Sequence, residues 1–162
     1  MKPAPFVTAI VGSLLALGPV VGMTSSADAA LSSAHESAAA RQYLADSAPL
    51  DTVSARFQVT AMSWIDNPTV TNAEAGVAAR PLIFALEIFK DKLESQKWPT
   101  SAHGDIAAMV TTLDQLVTDL RALSHDDLTK TSSWEGPLLH DDLATTAATN
   151  RVRRDFGLPP LA

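Results

Sequence analysis

The chain has 162 residues, of which 46% are hydrophobic and 19% are charged. This length and composition fit one folded domain, and they exclude a disordered chain and a protein with several membrane spans. The net charge of −6 argues against nucleic-acid binding, and the lack of any cysteine excludes disulfides, thiolate metal sites and cysteine nucleophiles.

The first thirty residues have the features of an export signal. Lys2 is followed by a largely apolar run and then by an A-x-A cleavage site that ends at Ala29. We therefore expect residues 1–29 to be a signal peptide, with cleavage before Ala30 and one domain over residues 30–162. If the segment is retained, it becomes a membrane anchor, because the apolar run is just long enough to span a bilayer.

After the leader, the first two predicted elements are helical. Residues 33–46 are rich in alanine and predict a weakly anchored helical segment. A separate, shorter helix is expected from Leu50 to Trp64, with Asp51 as its cap, and Asn67-Pro68 ends it.

The next two predicted helices carry clear apolar stripes. One runs from Thr71 to Lys97, opens with a capping box of Thr71 and Glu74, and contains Pro81, which is expected to kink or split it. The other lies between Ser101 and Leu123. Its stripe follows the helical spacing i, i+4, i+7, i+11 and i+14, at Ile106, Val110, Leu113, Val117 and Leu120.

The last predicted helix begins near Ser132, runs to Phe156 and stops at Gly157. No segment shows the alternation of apolar and polar residues that is typical of a half-buried strand. Because the connections are short, sequential helices should be antiparallel. We predict an all-α, up-and-down bundle of four main helices, with the alanine-rich N-terminal segment as a fifth helix or a lead-in.

A repeated tetrapeptide, His-Asp-Asp-Leu, suggests a metal site, because imidazole and carboxylate groups suit Zn²⁺, Mn²⁺ or Fe²⁺. The candidate ligands are His125, Asp126, His140 and Asp141. However, adjacent residues on a helix do not face one another, and the i, i+3 spacing of a Glu-x-x-His site is absent. We favour a loop for the first copy and a solvated helix face for the second, and we expect no cofactor.

Haem is the other cofactor to consider, since histidine or tyrosine can bind its iron, and the candidates are His35 and Tyr43. Their offset of eight residues places the two groups about two helical turns apart, which is a poor distance for one iron. The motifs G-x-S-x-G and H-E-x-x-H are absent, as is a glycine-rich phosphate loop. We therefore expect no enzymatic activity.

Three arginines, Arg151, Arg153 and Arg154, crowd the end of the last helix. Cations at this position oppose the negative end of the helix dipole, which explains them structurally. The functional alternative is contact with anionic lipid or cell-wall polymer. These arginines are therefore the candidate residues for contact with a partner.

Three stretches carry a resemblance to known proteins: SWIDNP at residues 63–68, WP at 98–99 and NRVRRDFGLPP at 150–160. They resemble the recurring pattern of small exported helical proteins of mycobacteria and related actinobacteria. Many proteins of that group carry a lipobox cysteine, which this chain lacks, so the resemblance does not imply a lipid anchor. It implies no particular biochemical activity.

We therefore predict a secreted or cell-envelope protein that is not an enzyme and that binds an envelope protein, a lipid or a polymer. The alternative is a metal or haem carrier that uses histidine and aspartate residues of the bundle. Contact with a membrane is expected only if the N-terminal segment is retained.

Overall fold

The computed structural model of the protein describes residues 37–65, 69–125 and 131–161, and the predicted signal peptide lies outside these ranges. A short 3₁₀ turn, Thr100–Ala102, leads into the third of the helices. The described residues contain no strand, which confirms the predicted all-α class. The described ranges contain four helices: α1 (Ala38–Ile65), α2 (Asn72–Ser95), α3 (His103–Ala122) and α4 (Thr131–Asp155).

Each helix packs on the next one along the chain, so that α1 lies against α2, α2 against α3, and α3 against α4. The backbones of α1 and α4, by contrast, do not approach each other as closely. The bundle therefore has three tight interfaces between sequential helices and a wider one between α1 and α4.

The core is one continuous cluster to which all four helices contribute. The predicted stripe of α3 is buried except at Val110, which is only half-buried. Burying each large apolar side chain contributes roughly 1.5–3 kcal/mol relative to leaving it exposed. The largest fully buried apolar side chains include Leu50, Leu82, Leu86, Phe89, Met109, Leu113, Leu116, Leu120 and Val152.

Helix α1 corrects two expectations about the first elements. The alanine-rich segment and the helix predicted from Leu50 are one helix that passes through Pro49. Pro49 is exposed, and the buried stripe of Tyr43, Leu50 and Phe57 stays in phase across it, so packing keeps the helix continuous. Asp51 lies inside the helix and is not its cap.

The first turn of α1 is capped instead by Ser37, which precedes the helix. The backbone N–H of Ala40 donates to Oγ of Ser37 over 3.1 Å. A serine hydroxyl at this position satisfies one of the amide donors that have no partner within the helix.

Helix α2 begins with the predicted capping box. The N–H of Glu74 donates to Oγ1 of Thr71 over 3.3 Å, and the N–H of Thr71 donates back to Oε2 of Glu74 over 2.9 Å. Pro81 lies on the exposed side of α2, and the helix continues through it without a break. The outer face of α2 also exposes Phe84 and Ile88.

Gly157 ends α4, as predicted. Its φ angle of 74° lies in the left-handed region that favours glycine, and the N–H of Leu158 donates back to the carbonyl of Arg153 over 2.8 Å. The chain beyond it folds onto α4, because the N–H of Leu161 donates to Oδ1 of Asn150 over 2.7 Å.

Candidate functional site

The wider interface between α1 and α4 is polar. Starting from Tyr43, polar residues recur on one face of α1 at i, i+4, i+8, i+11 and i+15. Starting from Asp142, they recur on one face of α4 at i, i+3, i+7 and i+11. All of them are buried except Asp51, which is half-buried. We call this set the α1–α4 seam: Tyr43, Ser47, Asp51, Ser54 and Gln58 on α1, and Asp142, Thr145, Thr149 and Arg153 on α4.

Contacts across the seam place the two faces opposite each other. The ring centroid of Tyr43 lies 5.6 Å from that of Phe156, which directly follows α4. A side-chain hydrogen bond with Thr149 acts to lower the pKa of Tyr43. Asp51 and Arg153 are close enough for each charge to shift the pKa of the other group. Side chains of both helices therefore point into one shared region.

Most polar groups of the seam have an atom without a hydrogen-bond partner among the described residues. One exception is Ser47, whose Oγ donates to the carbonyl of Leu44 over 3.3 Å. Five seam atoms have no partner among the described residues: Asp51 Oδ1, Ser54 Oγ, Gln58 Nε2, Thr145 Oγ1 and Arg153 Nη1.

Leaving these buried polar groups without hydrogen bonds would cost a large free energy of folding. A buried polar group that is left unpaired costs about 1–3 kcal/mol. Five such groups would together cost about as much as the whole net stability of a typical domain, which is about 5–15 kcal/mol. The seam therefore needs hydrogen-bond partners other than its own protein groups, and these are either water molecules or a polar ligand.

Arg153 supplies a buried positive charge to the seam, since this residue is only 2% exposed. Its Nε donates to the carbonyl of Pro159 over 2.7 Å, whereas Nη1 has no acceptor within residues 37–65, 69–125 and 131–161. Burial lowers the pKa of Arg153, and the neighbouring Tyr43 and Asp51 raise it. A guanidinium nevertheless stays protonated in proteins, so the positive charge persists.

Tyr43 stands beside this charge as a neutral hydrogen-bond donor. Burial raises the pKa of Tyr43 to about 12, although Arg153 and Thr149 act in the opposite direction. The phenol therefore keeps its proton at neutral pH. Its ring is held by the rings of Phe89 and Phe156, at centroid distances of 5.8 and 5.6 Å, which fixes where the hydroxyl lies.

The three arginines predicted as partner contacts have different environments. Arg151 and Arg154 both approach the carboxylate of Asp105 on α3, with N–O distances of 3.2 and 3.7 Å. The side chain of Arg154 is 72% exposed. Arg153 departs from the predicted surface position, because the helix turns it inward toward α1. Two of the three arginines therefore remain available at the surface.

The predicted metal ligands are not brought together where the structure describes them. His125 and His140 are exposed on different elements, and Asp126 lies outside the described residues. Asp141 is not on a solvated face: it is buried, and burial together with the adjacent carboxylate of Asp119 raises its pKa. Within residues 37–65, 69–125 and 131–161, no three His, Asp or Glu side chains are grouped as a metal site.

The predicted haem candidates have separate outcomes. His35 lies outside the described residues. Tyr43 is fully buried and belongs to the α1–α4 seam. The remaining histidine, His103, has its Nε2 within 2.9 Å of the Trp98 carbonyl and so stabilises the turn that precedes α3.

Sequence reasoning missed the seam, although a signal for it exists. The α4 side reads Asp-x₂-Thr-x₃-Thr-x₃-Arg from Asp142 to Arg153, which is a polar stripe at helical spacing. A polar stripe is normally interpreted as a solvated face. Only its burial shows that Thr149 and Arg153 face the interior.

None of the helices in the described ranges is long and apolar enough to cross a membrane. Comparisons of the chain with protein-family models, curated proteins and solved structures found no match.

Proposed function

We propose that this protein is an exported, non-enzymatic binding protein of the cell envelope or extracellular space, and that it holds a small polar ligand in the α1–α4 seam. The observation that supports this proposal best is the set of five buried seam atoms that lack partners among the described residues. Such a set is costly in a domain without a ligand and is useful in a domain that binds one.

The polar character of the α1–α4 interface also favours the seam as the binding region. Sequential helices bury large apolar side chains against each other, whereas α1 and α4 meet through hydroxyl, amide and charged groups. Ligand sites commonly lie between helices of bundles and contain a few polar groups that fix orientation.

The chemistry of the seam supports binding over catalysis. Its residues include hydroxyls, an amide, carboxylates and one guanidinium, but no imidazole that could serve as a general base near neutral pH. The leader predicted over residues 1–29 supports export.

Native mass spectrometry tests this proposal without a prior choice of ligand. The protein is purified under non-denaturing conditions from the culture medium and envelope of the cells that make it, and its mass is compared before and after denaturation. We expect a small-molecule adduct that is lost on denaturation. The denatured mass also tests export, because it should correspond to a chain that begins at Ala30.

Matched threonine variants assign the adduct to the seam. Thr149→Val removes a buried seam hydroxyl and keeps the side-chain shape, so we expect it to reduce the adduct. Thr111→Val removes an exposed hydroxyl on α3 and should leave the adduct unchanged. Finding only the mass of the polypeptide in every native preparation would contradict the proposal.

A further inference from the structure

The outer face of α2 carries an apolar row that the bundle leaves exposed. Its four residues follow the helical spacing i, i+4, i+7 and i+11, and we call them the α2 stripe: Val77, Pro81, Phe84 and Ile88. Val77 is 60% exposed, Phe84 66% and Ile88 41%. Single exposed apolar residues are ordinary, whereas a continuous row of them is typical of a surface that another molecule covers.

The spacing of the α2 stripe is self-complementary. Rows that alternate steps of four and three residues form the seam between paired helices. When a second copy of α2 is laid antiparallel on the first, Pro81 of each copy faces Phe84 of the other. In the next layer, Val77 of each copy faces Ile88 of the other. A twofold axis between Pro81 and Phe84 therefore makes every one of these contacts twice.

The charges beside the stripe favour the same arrangement. Arg80 and Glu87 flank one edge of the stripe, and in the antiparallel pair Arg80 of each copy lies beside Glu87 of the other, because both stand between the same two layers. Arg80 is exposed and makes no ion pair with any residue that the structure describes. Glu87 is paired with Arg121 on α3, yet its side chain remains 39% exposed. A carboxylate has enough acceptor sites for a second arginine.

The other edge of the stripe permits close approach. It carries Ala78 and Ala85, both half-buried, and these small side chains face each other across the antiparallel pair. A parallel pair would instead place Arg80 beside Ala85 and leave the guanidinium without a partner. The antiparallel arrangement is therefore the one that matches both edges.

We propose that the α2 stripe is a contact between two copies of this protein, arranged as an antiparallel, twofold-symmetric pair of α2 helices. This proposal is independent of any ligand in the α1–α4 seam, because the two surfaces lie on different helices. An interface of one helix from each copy is small, below about 1,200 Å² in total, so we expect a weak dimer with a Kd on the order of 10–100 μM. The protein is then a monomer in the dilute solutions used for denaturation experiments.

Sedimentation of the protein as isolated, over concentrations from well below to well above this Kd, tests the contact. We expect a reversible equilibrium between monomer and dimer. Phe84→Ala should weaken the dimer roughly tenfold or more, because buried aromatic side chains dominate such contacts. Leu143→Ala is the matched control, since Leu143 is 54% exposed on α4, and it should leave the Kd unchanged. A monomer at every concentration would mean that a second copy does not cover the stripe, and it would overturn the proposal, as would equal effects of the two variants.

Charge-reversed chains test the arrangement. Arg80→Glu or Glu87→Arg alone places like charges together at both edge contacts, so each chain by itself should fail to dimerise. Mixing the two chains restores opposite charges at both contacts, so a dimer of one chain of each kind should form. Arg154→Glu reverses a side chain that is 72% exposed on α4 and should dimerise like the wild type. Dimers of either reversed chain alone, or no dimer in the mixture, would overturn the proposal.

The ends of the stripe provide a test of the register. In the antiparallel pair, the exposed Glu74 of each copy lies opposite the exposed Asp91 of the other, which is a like-charge contact at the rim. Asp91→Lys should therefore tighten the dimer several-fold in the same sedimentation experiment. A Kd that stays the same or rises in this variant would contradict the proposed register and overturn the arrangement.

Discussion

Asp46 and Asp51 both lie on α1, but their carboxyl groups have pKa shifts in opposite directions. Asp46 is buried, and it accepts hydrogen bonds from Lys92 Nζ at 2.9 Å, Gln96 Nε2 at 2.8 Å and Gln42 Nε2 at 3.0 Å. Burial acts to raise the pKa of Asp46, but these hydrogen bonds outweigh it and lower the pKa. Asp51 has no such set of donors, and its pKa is raised by burial.

The completed network around Asp46 predicts a pH-dependent loss of stability in Asp46→Asn. Near neutral pH we expect the free energy of unfolding to fall by roughly 1–3 kcal/mol, because a charged hydrogen-bond acceptor is lost. A carboxyl group whose pKa is lowered by folding stabilises the protein above its unfolded pKa and loses this contribution as the pH falls. Urea denaturation should therefore show the difference from the wild type shrinking below about pH 4. Asp91→Asn, on the exposed side of α2, should change the free energy of unfolding near neutral pH by no more than about 0.5 kcal/mol.

Leu86 and Phe84 provide a second test at single residues, because they are close in sequence and opposite in burial. Leu86 is fully buried, whereas Phe84 is 66% exposed on the outer face of α2. We expect Leu86→Ala to lower the free energy of unfolding by roughly 2–5 kcal/mol through the cavity it leaves. Phe84→Ala should change it by only about 0.5 kcal/mol. Similar losses in the two variants, measured by chemical denaturation, would show that the helix faces are assigned wrongly.

At the scale of elements, Gly76 marks the place where α2 approaches the end of α3. A Cβ atom added to Gly76 would lie 2.9 Å from Cβ of Ser124, which is closer than side-chain atoms normally come. We expect Gly76→Ala to lower the free energy of unfolding by roughly 1–3 kcal/mol, because the steric cost exceeds the gain in helix propensity.

Two further variants check that sterics cause this loss. Ser124→Gly, combined with Gly76→Ala, should restore most of the lost stability by removing the opposing Cβ. Gly104→Ala is the matched control, because no atom lies within 4 Å of its added Cβ, and it should stabilise the protein by about 0.5–1 kcal/mol. A thermal melt of each variant gives the comparison, and a stabilising Gly76→Ala would contradict the close approach.

At the scale of the whole molecule, the helices are anchored unequally. Helices α2 and α3 each pack closely on two neighbours, whereas α1 packs closely on α2 and meets α4 across the polar seam. Local opening is easiest where few apolar contacts must be broken. We therefore expect hydrogen exchange to be slower for the central amides of α2 and α3 than for those of α1. The reverse order of protection would mean that α1 is held more firmly than its packing indicates.

A ligand in the seam should change this order. Because a molecule bound between α1 and α4 would stabilise the closed arrangement, we expect the protein isolated with its adduct to exchange more slowly in α1 than the same protein without it, with a smaller difference in α2.

The sequence was most informative about local structure. The capping box of Thr71 and Glu74, the buried stripe of α3 and the end of α4 at Gly157 all depend on residues within a few positions of one another, and all are observed. The separation of α1 into two parts was wrong, because Pro49 disfavours a helix locally while packing on both sides of it favours one.

The sequence by itself determined that the chain forms helices and which residues form most of their apolar faces, because a periodicity of 3.6 residues is a property of a single segment. It did not determine that the polar faces of α1 and α4 meet. That depends on how two helices distant in the chain are rotated and spaced, which all three tight interfaces decide together. For the same reason, the sequence predicts a surface position for Arg153, whereas the folded protein buries this cation.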